Sequence, residues 1–216
     1  MVDTSARLSA MAKLLPPEVE SRLLKALSLN NPDDAIAVMR EHEPGWGIGK
    51  PGDAFGMPFD PALFRFIMLA DPPQIERFKP EQRKQLRIAA VMQHFIGDQR
   101  GSEKWLPQDV AWVYRDEPLT AVRMCYFWAR SVQDVILAKS LGHTRKRVLG
   151  EGQKGDRRYA RCPHCTTLRE RGFIGIDEEF EQGIKFPPFR GCTLAKYACR
   201  CILEFAESGT GSPLAA

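Results

Sequence analysis

No run among the 216 residues approaches the roughly 18 apolar positions needed to span a bilayer. Residues 1–12 lack the apolar core of a secretory signal. The expectation is a chain with no membrane partner, kept in a reducing intracellular compartment. Histidine is scarce, with four in all, and His42, His94 and His143 are widely separated and carry no partner pattern. The acidic run Glu170, Asp177, Glu178, Glu179 includes no His-x-Glu spacing of a zinc hydrolase, and it reads as a solvated face. Gly47-x-Gly49 is followed by no Gly-Lys-Ser/Thr, so it belongs to a structural loop and not to a phosphate cradle. There is no internal repeat. With these signatures missing, the chain is not expected to be an enzyme.

What is present is ordinary in bulk and uneven in placement. An apolar fraction of 44% and a charged fraction of 27% suit a soluble globular chain of one domain or two small ones. The net charge of +4 is concentrated. Between His143 and Arg161 lie seven basic residues and two acidic ones, a net +5, which leaves −1 for the remainder. Arg145, Lys146, Arg147, Lys154, Arg157 and Arg158 are therefore the candidates for contact with nucleic acid or an acidic partner. Tyr159 is the one aromatic among them, so base stacking is not indicated.

Apolar spacing predicts helices over 18–29, from Asn31 to His42, over 61–70, over 80–96 and over 117–141. Asn31 has the chemistry of an N-cap, with Pro32 at the first helical position and Asp33 and Asp34 behind it. The longest helix is expected to bury Leu119, Val122, Tyr126, Ala129, Val132 and Ile136, with Phe127, Trp128 and Val135 widening that side, and to end at Gly142. Cys125, in this apolar stretch, reads as a core thiol. A weaker stripe of Leu8, Met11, Leu14 and Leu15 marks the N-terminal arm, and 44–61 is a Gly/Pro-rich loop. After Gly142 short strand-like pieces appear at 147–149, 158–160 and 173–176, and 197–205 is a strand or a last helical turn. The predicted class is α+β. A mostly helical region, 1–142, precedes a small cysteine-rich, metal-stapled α+β region, 143–205, and a flexible tail, 206–216.

Five of the six cysteines fall between 162 and 201. Clustered thiols in a reducing compartment point to metal before disulfides. Cys162 and Cys165, two residues apart, place two thiolates within reach of one tetrahedral zinc ion. Cys199 and Cys201 are the preferred second pair, with Cys192 as a substitute for either. His164, inside the first pair, is expected to point away. Such a zinc ion would be structural. The same Cys162-Pro163-His164-Cys165 is also the active-site tetrapeptide of oxidising thioredoxin-like proteins. The polar segment before it and the roughly 50 residues after it do not suit that fold. A third possibility is a zinc-ribbon-like nucleic-acid-binding module.

Taken together, a long helix, a basic strand-like piece, Cys162/Cys165, Pro187-Pro188-Phe189 and Cys199-Arg200-Cys201 resemble the C-terminal region of the phage head-morphogenesis family, the Mu F-like minor head proteins. The resemblance covers residues 119–203. Arg190 stands where the family has histidine, and 191–198 form an insertion that carries Cys192. The resemblance implies a virion structural or assembly protein, made in the host cytoplasm and incorporated into the head. Its implied partners are portal or capsid subunits and packaged DNA, and it implies no enzyme activity.

Overall fold

The computed structural model describes residues 15–42, 63–96, 105–112, 117–149, 163–190 and 201–207. The class is mixed helix and sheet, as expected, and among the described residues a three-stranded antiparallel sheet follows five helices. The arm 1–14, the Gly/Pro-rich loop and the strand-like piece at 158–160 lie outside the described residues.

Helix α1, Pro17–Ser28, starts on a proline that loses no intrahelical bond at that position, and Glu18 and Glu20 oppose the positive helix end. It buries Leu23, Ala26 and Leu27. Asn30 closes it at φ 55°, a left-handed conformation that asparagine tolerates better than most residues. The Asn31 amide then donates to the Ala26 carbonyl at 2.9 Å. Asn31 also starts α2, Pro32–His42, where its side-chain oxygen accepts from the Asp34 amide at 3.2 Å. Arg22 and Glu41 clasp the two helices through a two-point fork of 3.0 and 2.7 Å.

Helices α3 (Leu63–Met68), α4 (Pro80–Ile96) and α5 (Glu117–Ser140) complete the helical region, with a single 3₁₀ turn at Pro73–Ile75 between α3 and α4. Both α3 and α4 pack on α5. Their shared core includes Leu23, Leu27, Phe64, Ile67, Leu86, Met92, Val122 and Tyr126. Gln93 of α4 is fully buried, and neither of its amide atoms meets a hydrogen-bond partner. An orphaned buried amide costs about 1–3 kcal/mol. Gln93→Met keeps the unbranched shape and removes the orphaned groups, so a gain of about 1–3 kcal/mol in urea unfolding is expected. A loss of stability would show that the amide is satisfied after all.

The long helix α5 differs from the expected single stripe. Ala121, Val122, Cys125, Tyr126 and Ala129 face the helical core. Met124, Val135 and Ala138 belong instead to two clusters on the sheet side. At about 100° per residue, the two stripes lie about a third of a turn apart. Ile136, predicted to be buried, is half exposed, and Leu119 and Val132 are only partly covered. Ile136 lies on the flank that the helical region covers only in the first half of α5. Gly142, at φ 83°, ends the helix as predicted, and the His143 amide returns to the Ala138 carbonyl at 3.0 Å.

The sheet runs β2 (Ile174–Gly175), β1 (Arg145–Leu149), β3 (Ile202–Ala206) in spatial order. Arg145 lies opposite Gly175 and Ala206, and Leu149 opposite Ile202. Strand β3 therefore takes in Ala206, one residue into the stretch predicted as tail. Among the described residues, no helix is long and apolar enough to cross a membrane.

Candidate metal centre

The segment that carries Cys165 is helical. Pro163–Glu170 is a helix, α6, of eight residues, packed on β1. Its sequence signal is Pro163 at the first helical position, followed by Cys165 and Leu168 at a spacing of three. Both are buried. They enter one apolar cluster with Met124 of α5, Val148 of β1, and Phe180, Ile184 and Phe189. Cys201, directly before β3, is half-buried and packs against the same cluster. Two of the four preferred ligands, from segments 36 positions apart, thus come to one place. Cys162, Cys192 and Cys199 lie outside the described residues, and among the described ones no group of three metal-binding side chains forms. Two cysteines at one cluster are two of the four ligands that a tetrahedral zinc site takes.

Residues 176–190 build the floor of this region, and the acidic run is its framework. The solvated-face expectation therefore holds only for exposure at Asp177, Glu178 and Glu179, because these three carboxylates are engaged. Asp177 pairs with Lys139 of α5 at 2.5 Å, and that hydrogen bond holds its carboxyl below the ordinary range. Glu178 accepts from the Gly175 amide at 2.7 Å, and Glu179 from the Gly183 amide at 2.8 Å. Gly183 has φ 75°, which a residue with a Cβ rarely adopts. Glu181, not part of the expected run, has one oxygen on His164 Nε2 and accepts from the Arg190 amide at 2.8 Å with the other. His164 thus has its own partner outside the thiol set. Its ring also meets Phe189 edge-on at 6.3 Å between centroids.

Phe189 is fully buried against Phe180, with ring centroids 5.5 Å apart at 74°. The Pro187–Pro188 peptide before it is cis. The Phe189 carbonyl accepts from Gln74 Nε2 at 2.8 Å, and Arg190 reaches Glu76 at 2.8 Å. Gln74 lies in the 3₁₀ turn of the helical region, and Glu76 directly follows it. Arg190, the departure from the family's histidine, therefore joins the two regions. Phe186 adds a contact with Trp128 of α5 at 5.3 Å.

Of the six basic residues proposed for contact, Lys154, Arg157 and Arg158 lie outside the described residues. Lys146 is corrected by the fold, because it is fully buried. Alternation along β1 puts it on the same face as Val148, toward the core. Its ammonium donates to the Ile176 carbonyl at 2.7 Å and lies 5.3 Å from the Phe180 ring centre. Burial pushes its pKa down to about 8. It is out of reach of a phosphate. Arg145 and Arg147 occupy the opposite face, both over the Phe173 ring, at 5.4 and 4.6 Å. Arg147 is also paired with Glu204 of β3. Cys125 is fully buried in the helical core, and burial raises its thiol to about 12, so it stays protonated.

Compared with protein family models, with curated proteins and with solved structures, the chain has no match.

Proposed function

We propose that this chain is an assembly protein of the phage head, of the head-morphogenesis type, whose C-terminal region is closed by a structural zinc ion. One observation carries the reading. The three separated pieces of the resemblance, Cys-x-x-Cys, Pro-Pro-Phe and Cys-Arg-Cys, contribute Cys165, Phe189 and Cys201 to a single cluster. Convergence of distant motif residues is what a shared structural role requires, and chance short matches give no reason for it. Cys162, Cys165, Cys199 and Cys201 are the proposed ligands, with Cys192 as the substitute for one of the last two. The zinc supplies a cross-link between α6 and the start of β3, and no reaction is assigned to it. Portal or capsid subunits are the proposed partners, with packaged DNA as a further one.

Protein made under reducing conditions is expected to carry about one equivalent of zinc. Cys165→Ser and Cys201→Ser are expected to lose the metal and to lower the melting temperature. Less than about half an equivalent in the wild type sinks the zinc assignment. Co-purification with portal or capsid subunits tests the assembly role. Salt-dependent DNA binding by the isolated protein without such partners would favour the nucleic-acid module. A rapidly alkylated Cys162 of low pKa would favour the thiol oxidoreductase.

A further inference from the structure

Helix α4 opens against the electrostatics of a helix end. The positive end favours carboxylates and opposes cations, yet α4 carries Arg83, Lys84 and Arg87 in its first eight residues. Two of the three have structural employment. The Lys84 ammonium donates to the Ser28 carbonyl at the end of α1. Arg87 Nε donates to the Ala70 carbonyl, just past the end of α3, at 2.5 Å. Such cations satisfy carbonyls that helix ends leave over. Arg83 has different employment. It donates to Asp71 Oδ1 at 3.2 Å, and that same oxygen accepts from Arg87 at 3.3 Å. Two guanidiniums thus converge on one carboxylate oxygen. They share it at distances beyond the roughly 2.7–2.9 Å of a good charge-assisted bond. One negative charge stands against two positive ones. Both arginine side chains are only about a quarter exposed, so water screens them less than it screens a surface pair, whereas Asp71 is about half exposed.

We propose that Arg83 and Arg87 form a clamp for a phosphate group, which Asp71 holds closed in the free protein. Each guanidinium offers its N–H donors in a rigid fork, and the shared carboxylate oxygen takes up one donor from each. A phosphate presents several oxygens on one centre, enough to engage both forks at once, and its charge balances the surplus that Asp71 leaves. Arg87 is set in place beforehand by its bond to Ala70, which lowers the ordering cost of binding. Asp71 is then an internal competitor. Its half-exposed carboxylate turns out to water when the phosphate enters. The phosphate is that of a nucleic-acid backbone or a free phosphate ion. The clamp lies wholly in the helical region. It uses no cysteine and none of the basic residues between 143 and 161, so it stands apart from the zinc reading.

Two titrations of the full chain test this, one with inorganic phosphate by calorimetry and one with a fluorescent duplex of about 20 base pairs over a range of salt. Asp71→Asn removes the competitor and is expected to tighten binding of at least one probe by about threefold to tenfold. A merely structural ion pair predicts no such gain. Arg83→Gln is expected to cancel the gain when combined with Asp71→Asn. Alone, on the duplex, it is expected to lower the slope of log K against log salt by about 0.9, the share of one phosphate contact. Urea midpoints of all variants confirm that each is folded. Arg22→Gln removes an exposed arginine of the α1–α2 clasp and is expected to change neither titration. A response on the duplex alone assigns the site to nucleic acid, and a response to inorganic phosphate assigns it to the free ion. Asp71→Asn binding no tighter than wild type with both probes overturns the clamp. So does an Arg83→Gln protein that matches wild type in both titrations. An Arg22→Gln loss as large as that of Arg83→Gln also overturns it, because overall charge then accounts for the binding. Zinc content and co-purification with portal or capsid subunits are independent of each of these results, so the assembly reading stands or falls separately.

Discussion

Between about pH 8 and 10.5 the stability of the wild-type protein is expected to rise by up to about 3 kcal/mol, and Lys146→Met is expected to abolish that rise. In the folded chain Lys146 gives up its proton near pH 8, whereas in the unfolded chain it keeps it to about 10.5. Within that window the unfolded state binds more protons, so raising the pH favours the fold. Below pH 8 both states carry the charge, and the fold bears the full cost of a buried cation. Desolvation is the dominant cause. Asp177 and Glu178 favour the cation and Lys139 and Lys185 oppose it, so the surrounding charges only partly offset burial. The bond to the Ile176 carbonyl moderates the cost, and its loss keeps the sign of Lys146→Met at pH 7 dependent on the exposed carbonyl. The pH slope is free of that term, because both proteins lack or keep the bond at every pH compared. Urea unfolding at pH 7, 8, 9 and 10 reads it directly. Parallel curves for the two proteins would show that Lys146 does not titrate early.

Phe189→Ala is expected to cost about 3–5 kcal/mol, the range for deleting a fully buried aromatic ring. The ring fills the space between Phe180 and His164, in the cluster that also holds Cys165, Leu168 and Ile184. Its removal leaves a cavity in a cluster to which Met124 of α5 and Val148 of β1 also belong. Phe189→Leu retains part of the volume and is expected to cost less than half as much. Denaturant midpoints for the two variants give the comparison. A loss under about 1 kcal/mol for the alanine variant would mean that 180–190 is not packed in solution.

Much of the helical region could be read from the sequence, because its signals are local. Pro32 behind Asn31 and the closing Gly142 act within a few residues of themselves. The misjudged face of α5 has a different origin. A stripe count finds the angle of greatest apolarity, and a helix serving two cores has no single such angle. Charge alone places Lys146 at the surface, although sharing a face with Val148 directs it inward. The α6 helix also left a signal in Pro163, overshadowed by the cysteine pair around it. The Arg190–Glu76 pair could not be read at all. Its members are 114 positions apart, and nothing local distinguishes either from a solvated charge. Thiol chemistry groups Cys165 with Cys201, and both lie at one apolar cluster, but nothing in the sequence marks the carboxylate framework beside it.

The two stripes of α5 also bear on whether the chain can be divided. The change in texture after Gly142 invites a cut there, yet residues 1–142 alone would leave Met124, Val135 and Ala138 facing water, beside the partly covered Phe127 and Trp128. A fragment beginning after Gly142 would lose α5, which packs on β3 and supplies Met124, Val135 and Ala138 to the clusters beside the sheet. The boundary visible in composition is therefore not one at which either piece can live apart, and any ancestral joining or loss of the C-terminal region must have remade the outer face of this helix as well.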